Sequence, residues 1–489
     1  MFLKLIIQGG KVMNNKNKII QLIEGKKQQY YDCSNKIWGY AETRFDVEKS
    51  AKELSKLLQN EGFEIKMGLA DMDYAFVATF GEGDPQIGIL AEYDALGNLS
   101  QVADLAEKKP LEGNGNGHGC GHHMLGVGAV AGAVGIKDFM QEQNLKGTIK
   151  LFGCPAEESG YGKAFMTRAG VFNGLDAALT WHPHDTNGVF SFSTLASHQI
   201  YFNFTGRAAH AGAAPDQGRS ALDAAELMNI GVNFLREHII DNARIHYAFI
   251  DAGGPSANVV QPTSSLHYFI RAPKTSQVNE IYERVVKIAQ GAALMTETQL
   301  EIKWDSACSN YIPNKTLTKA IYENLKQVTP LQITDEELEY MQPFFDSLEE
   351  NDKKNVLNRA KKLYAHIGEE KVKEVAESPI FMDVMPYVEF EAPMTGSTDV
   401  GDVSWVVPTA QFSTACLPQG APPHSWQWVA TGKSSVAHKG VLAAGKVIAM
   451  TAYDILKNPE LIKVANAEHS VSLDGETYEC AIPEDVLPI

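Results

Sequence analysis

The chain has 489 residues and a formal net charge of −17, with 43 Lys and Arg against 60 Asp and Glu. That balance excludes a general nucleic-acid binder, which needs a basic face to displace counterions, and a polybasic membrane-surface protein. Apolar residues are 44% and charged residues 21% of the chain, proportions of a globular protein that the length divides into roughly two to four domains.

At the start, Met1 to Ile7 hold an apolar run too short for a signal h-region, and no small-residue cleavage site follows it. Met13, ahead of the polar Asn14-Asn15-Lys16, reads as an alternative start. No stretch approaches the ~18 apolar residues of a membrane span. The six cysteines, Cys33, Cys120, Cys154, Cys308, Cys416 and Cys480, are too sparse for a disulfide scaffold and predict reduced, cytoplasmic thiols.

Residues 18–60 show helical spacing, with Ile19, Ile20, Leu22 and Ile23, then Ala51, Leu54, Leu57 and Leu58. Strand-like runs follow at Tyr74–Phe80 and Ile87–Ala91. A Gly/Asn-rich loop spans Gly113 to Gly119, and a small-residue helix is predicted over His123 to Met140. Thr148–Gly153 and Ala177–Trp181 read as buried strands. Strands interleaved with helices predict a mixed α/β sheet.

The pattern changes over residues 197–304. Strand Ser197–Phe204, helix Ser220–His238, strands His246–Ile250 and Ser265–Ala272, helix Val278–Met295 and strand Gln299–Trp304 give the order βαββαβ, a ferredoxin-like unit. It reads as an insertion, because α/β character resumes after Tyr311. The expected domains are therefore 1–194 (first part of the α/β domain), 195–305 (inserted domain) and 306–489 (second part of the α/β domain). A charged helical insertion lies at about 334–376, and Ser434–Leu456 is the last long helix expected.

Chemistry concentrates at four places. His118-Gly119-Cys120-Gly121-His122-His123 joins thiolate and imidazole donors in a turn that glycines permit, a pattern for Zn-like ions. Spacing alone leaves open which of the three histidines binds. Pro155-Ala156-Glu157-Glu158 follows a buried strand, and adjacent carboxylates can divide metal binding from proton transfer. His182 in Trp181-His182-Pro183-His184 lies at another strand end, where open α/β sheets place ligands. His424 stands in Pro422-Pro423-His424. Singly, paired loop acids and lone histidines are more often solvated surface groups. Together, Cys120, His122, Glu158, His182 and His424 exceed the four ligands of a closed structural zinc site and suit two ions used for hydrolysis.

These motifs resemble the M20 metallopeptidase family, in the amidohydrolase branch that contains the indole-acetyl-amino-acid hydrolases. The resemblance runs from about Lys18 to Pro483. It includes Ala91-Glu92-Tyr93-Asp94-Ala95-Leu96, Gly206-Arg207-Ala208-Ala209-His210-Ala211, Asn258-Val259-Val260-Gln261-Pro262 and Gly396-Ser397-Thr398-Asp399. It implies a di-metal aminopeptidase-like catalytic α/β domain with an inserted lid or dimerisation domain. It also implies that Cys120, His122, Glu158, His182 and His424 bind two divalent ions per chain, Zn²⁺ or Mn²⁺, and that Glu157 is the general base. His210 and Asn258 match lid residues that reach an active site, commonly the partner subunit's, with His210 stabilising the oxyanion. Arg271 and Gly396 match the grip on a substrate carboxylate. Departures occur at Glu92, Asp94, His123 and Asp399, whose roles stay open; Asp94 either orients a ligand imidazole or caps a turn.

The implied activity is hydrolysis of the amide of an N-acyl amino acid, with p-aminobenzoyl-glutamate the first substrate candidate and dipeptides or other N-acyl amino acids next. The implied assembly is a homodimer through the inserted domain or a heteromer with a related A-type subunit, without nucleic acid or membrane. A chain whose main task is assembly within a two-subunit enzyme is a different class, disfavoured by the complete ligand set. A thiol redox protein using Cys120 is disfavoured because Cys-x-x-Cys is missing.

Overall fold

The computed structural model describes residues 14–113, 115–390 and 392–488. The apolar start and the choice between Met1 and Met13 lie outside the described residues. Eleven strands are present among them: β1 (Glu64–Leu69), β2 (Met72–Glu82), β3 (Gln86–Glu92), β4 (Gly147–Cys154), β5 (Ala177–His184), β6 (Gly188–Val189), β7 (Ala196–Thr205), β8 (Arg244–Asp251), β9 (Thr263–Ala272), β10 (Gln299–Cys308) and β11 (Thr409–Ala415). The class is α/β, as expected.

Seven strands form one mixed sheet in the order β1-β2-β4-β3-β5-β11-β6. Its centre is parallel, through the pairs β4–β3, β3–β5 and β5–β11. The central strands are apolar on both faces because helices cover both. Ile87, Ile89 and Ala91 of β3 join the core that contains Met124 to Met140 and Val441 to Ile455, whereas Leu90 joins the opposite core with Phe165 and Val403. The helix His122–Gln143 is rich in small residues because it is gripped between sheet and helix. A Cβ on Gly128 would meet the Trp181 ring at 2.5 Å, and one on Gly132 would meet Ile448 at 2.6 Å.

The second sheet is antiparallel, in the order β10-β7-β9-β8. Strand β9 alternates buried and more exposed positions, and helices Ala221–Leu235 and Thr275–Thr296 close the apolar face of the sheet around Phe202, Tyr268 and Val285. This is the βαββαβ unit that the spacing of apolar runs predicted.

The charged segment near 334–376 forms three helices, Asp335–Asp346, Glu350–Tyr364 and Glu369–Glu377. One expectation is corrected: Ser435–Lys457 is followed by another long helix, Pro459–Leu473. Pro459 occupies the first helical turn, where the missing N–H costs nothing, so it starts a helix instead of ending one. Among the described residues, no helix is long and apolar enough to cross a membrane.

Candidate metal centre

The parallel strands end on one side of the sheet, and the candidate residues follow those ends: Asp94 after β3, Glu157 and Glu158 after β4, and His182 near the end of β5. Cys120 and His122 are brought there by a tight loop entering the helix His122–Gln143. Gly121 takes a left-handed conformation (φ +79°), and a Cβ on it would lie 2.7 Å from Pro183. Gly119 accepts the His424 N–H through its carbonyl at 3.0 Å, and a Cβ at 119 would sit 3.3 Å from the His424 Cα and 2.2 Å from Leu99. A glycine there lets two segments far apart in sequence touch. Ala156 (φ +62°) and His424 (φ +60°) also adopt left-handed backbone, a strain that persists where neighbouring structure imposes it.

The five expected ligands converge as two triads with one shared member. Cys120, His122 and His182 offer donor atoms all within 4.8 Å of one another, and so do Cys120, Glu158 and His424. The Cys120 Sγ lies 3.4 Å from His182 Nε2, and His424 Nε2 lies 3.5 Å from Glu158 Oε2. A third group, Glu92, His122 and Glu157, overlaps the first at His122. Of His118, His122 and His123, only His122 joins the donor groups. His118 Nε2 is spent on the Ile37 carbonyl (3.1 Å) and His123 Nε2 on the Gly432 carbonyl (2.9 Å).

Divalent ions fit this donor set. His122 Nε2 and Glu158 Oε1 are buried without a hydrogen-bond partner, although buried polar atoms are normally satisfied. Burial, then nearby carboxylates including Asp94, push the Glu158 carboxyl up to about 7. Burial and the Glu92 and Asp399 carboxylates push Glu157 well above its usual range. Crowded carboxylates, a thiol and imidazoles in one buried cluster suit a borderline divalent cation.

Around the donors stands a supporting layer. Asp94 Oδ1 lies 3.0 Å from His122 Nδ1, and its Oδ2 accepts the Glu158 N–H at 3.0 Å. Lys163, fully buried on the helix Gly162–Arg168, gives its ammonium to Asp399 and to Glu92 Oε1 (2.8 Å). Glu92 in turn lies 3.3 Å from His122 Nε2. Sequence reading missed Lys163; the available signal was a lysine amid small and apolar residues in Gly160-Tyr161-Gly162-Lys163-Ala164-Phe165.

The other expected site residues fall into two places. Arg271 donates to the Thr395 carbonyl at 3.1 Å and stacks 3.9 Å from the Phe269 ring centre, so it adjoins Gly396, whose carbonyl accepts the Leu195 N–H. The segments carrying His210 and Asn258 pair: the Ala211 N–H donates to the Asn258 carbonyl at 2.9 Å, and His210 bridges to Val259. The His210 Nδ1 accepts the Gly212 and Ala213 N–H groups at 3.1 and 3.0 Å, which leaves Nε2 as an outward donor. Among the described residues, no hydrogen bond or ion pair joins His210 or Asn258 to the cluster of the same chain.

An α/β sheet covered by helices on both faces, with two linked donor triads at its strand ends, defines a co-catalytic metallohydrolase. The chain belongs to peptidase family M20/M25/M40, whose model matches residues 88–424. It is 44% identical over 466 residues to the B-type subunit of p-aminobenzoyl-glutamate hydrolase from Escherichia coli (strain K12), covering 95% of this chain and 97% of the relative. Among solved structures it resembles an aminobenzoyl-glutamate utilization protein from Klebsiella pneumoniae (TM-score 0.58, 17% identity, 88% of this chain and 98% of that one). It also resembles a dinuclear metal-binding peptidase of the M20 family from Bacillus subtilis (TM-score 0.54, 17% identity, 89% and 99%). The family membership makes the chain a metallo-amidohydrolase, acting on C–N bonds.

Proposed function

We propose that this enzyme hydrolyses the amide of p-aminobenzoyl-glutamate, releasing p-aminobenzoate and glutamate. The observation that carries the reading is the pair of donor triads sharing Cys120 with Glu157 beside them. The name of the 44%-identical relative selects the substrate.

In this reading Cys120, His122, Glu158, His182 and His424 hold two Zn²⁺ or Mn²⁺ ions. Such ions supply positive charge at the scissile carbonyl and favour ionisation of the attacking water. Glu157 accepts the proton from that water and then delivers it to the leaving amide nitrogen. One carboxylate can serve both transfers because proton gain and loss are sequential. His210, with Nε2–H free to donate, stabilises charge developing on the carbonyl oxygen. Among the described residues no hydrogen bond or ion pair ties it to the donors of its own chain, and in this reading it and Asn258 serve the site of the partner subunit. Arg271 and Gly396 hold the substrate carboxylate. Residues 195–305 act as the lid and association domain on the catalytic parts 1–194 and 306–489.

The working assembly in this proposal pairs the chain with a related A-type subunit. All six cysteines are free thiols, which suits a reducing cytoplasm. The test is turnover of p-aminobenzoyl-glutamate beside dipeptides and other N-acyl amino acids, by metal-loaded protein with and without the A-type partner. Glu157→Gln should lower turnover by about 10²–10⁴-fold while metal content holds. Preference for dipeptides would overturn the substrate, and full activity of the variant would overturn the base.

A further inference from the structure

Beside β6 lies a cleft of about 300 Å³ whose lining has been given no role above. Its floor is the short edge strand β6 with the residues after it. Its wall is Met385, Pro386, Val388, Phe390 and Met394, and its end is closed by Arg359, Lys362 and Leu363 of the helix Glu350–Tyr364. The lining is aromatic. Phe190 and Phe192 stack with ring centres 5.2 Å apart at 28°, and Phe390 meets Phe192 edge-on at 6.2 Å. Met385 and Met394 line it as well. Phe390 and Met394 are each 52% exposed, a costly place for large apolar groups unless something covers them.

The cleft adjoins the metal centre through the sheet. Ser413, which lines it, is the register partner of His182 across the parallel pair β11–β5. Register partners in neighbouring strands present side chains on the same face about 4.8 Å apart. At its other end, Met394 is next to Thr395, whose carbonyl takes the Arg271 guanidinium. The cleft thus lies between the strand neighbouring His182 and the segment whose Thr395 carbonyl holds Arg271.

We propose that this cleft is the subsite for the aromatic acyl group of the substrate, and that the helical insertion near 334–376 selects N-aroyl over N-alkanoyl amino acids by closing it. The inference rests on the amidohydrolase reading and specifies its substrate class. Aromatic rings pack against rings at offset and edge-on geometries, and thioethers favour ring edges, which is the surface this cleft offers. The volume lies at the small end of ligand pockets, matching one substituted ring. Arg359 is held there by Asp185 Oδ2 at 2.8 Å, so the insertion is fixed to the residue following β5.

The experiment uses full-length, metal-loaded protein with its A-type partner, and the variants Phe190→Ala and Phe390→Ala. Two quantities are read: the ratio of kcat/KM for p-aminobenzoyl-glutamate to that for N-acetyl-glutamate, and binding of p-aminobenzoate by calorimetry. Each variant should lower the ratio and weaken p-aminobenzoate binding by about tenfold. Equal loss on both substrates, or unchanged p-aminobenzoate affinity, overturns the subsite. Phe390 is half exposed, so its truncation tests the cleft without emptying a core. If the wild type hydrolyses neither substrate yet binds p-aminobenzoate through these rings, the subsite stands and the hydrolase reading falls. If it hydrolyses both and the ratio is indifferent to both rings, the reverse holds.

Discussion

Asp94 grips two members of the candidate metal centre at once, the His122 ring through Oδ1 and the Glu158 backbone through Oδ2, each at 3.0 Å. A carboxylate can only accept, so Nδ1 carries the hydrogen and the Nε2 lone pair faces the cluster. Asp94→Asn replaces an acceptor with an amide that can donate, favouring the wrong tautomer. The expected outcome is a metal affinity about 10–100-fold weaker, measured by competition with a chromophoric chelator. Unchanged affinity would show that the ring is held by other contacts.

Because Cys120 belongs to both triads and His424 to one, their removal should differ in stoichiometry. Cys120→Ala is expected to lose both ions after dialysis, whereas His424→Ala keeps about one per chain. Metal content by mass spectrometry distinguishes them. Equal content in the two variants would contradict a shared thiolate.

Lys163 is a buried cation between two buried carboxylates. Removing one member of such a group leaves uncompensated charge and costs about 3–5 kcal/mol. Lys163→Met should lower unfolding free energy by that order in urea titration, and Asp399→Asn added to it should recover part of the loss, since the two are in contact. Additive losses in the double variant would refute the coupling.

Asp185 supplies the pH dependence. Burial raises its pKa, but hydrogen bonds and charge from His184 and Arg359 outweigh this and hold it below the usual carboxylate range. A depressed carboxyl adds stability that is present above the unfolded value of 3.8 and is lost as pH falls beneath it. Melting temperatures of the wild type and Asp185→Asn should therefore differ most above about pH 5 and converge toward about pH 2. Parallel curves throughout would remove this ion pair from the account.

Much of the architecture was legible because its signals are local. Alternating or continuous apolar runs marked β2 to β5, and the βαββαβ order of 197–304 followed from run lengths and turns. Cys120, Glu158, His182 and His424 stood out by residue type at strand ends or in loops, whereas His122 was singled out only by the family resemblance. What stayed hidden depends on partners distant in sequence. His118, His122 and His123 are equivalent on paper, and only the carbonyls of Ile37 and Gly432 assign two of them away from the centre. Lys163 acquires meaning from Asp399 across the fold. Strand β11, Thr-Ala-Gln-Phe-Ser-Thr-Ala, is fully buried yet half polar, so periodicity did not single it out.

The place of β11 has a consequence for synthesis. It sits between β5 and β6, although both leave the ribosome long before residues 409–415 do. Until then the nascent chain carries two unsatisfied strand borders and lacks His424, which comes soon after β11. Such borders recruit foreign strands, so this protein should lean on holding chaperones late in translation, and a stop codon placed before Thr409 should leave insoluble product even though most of the helices have already been made.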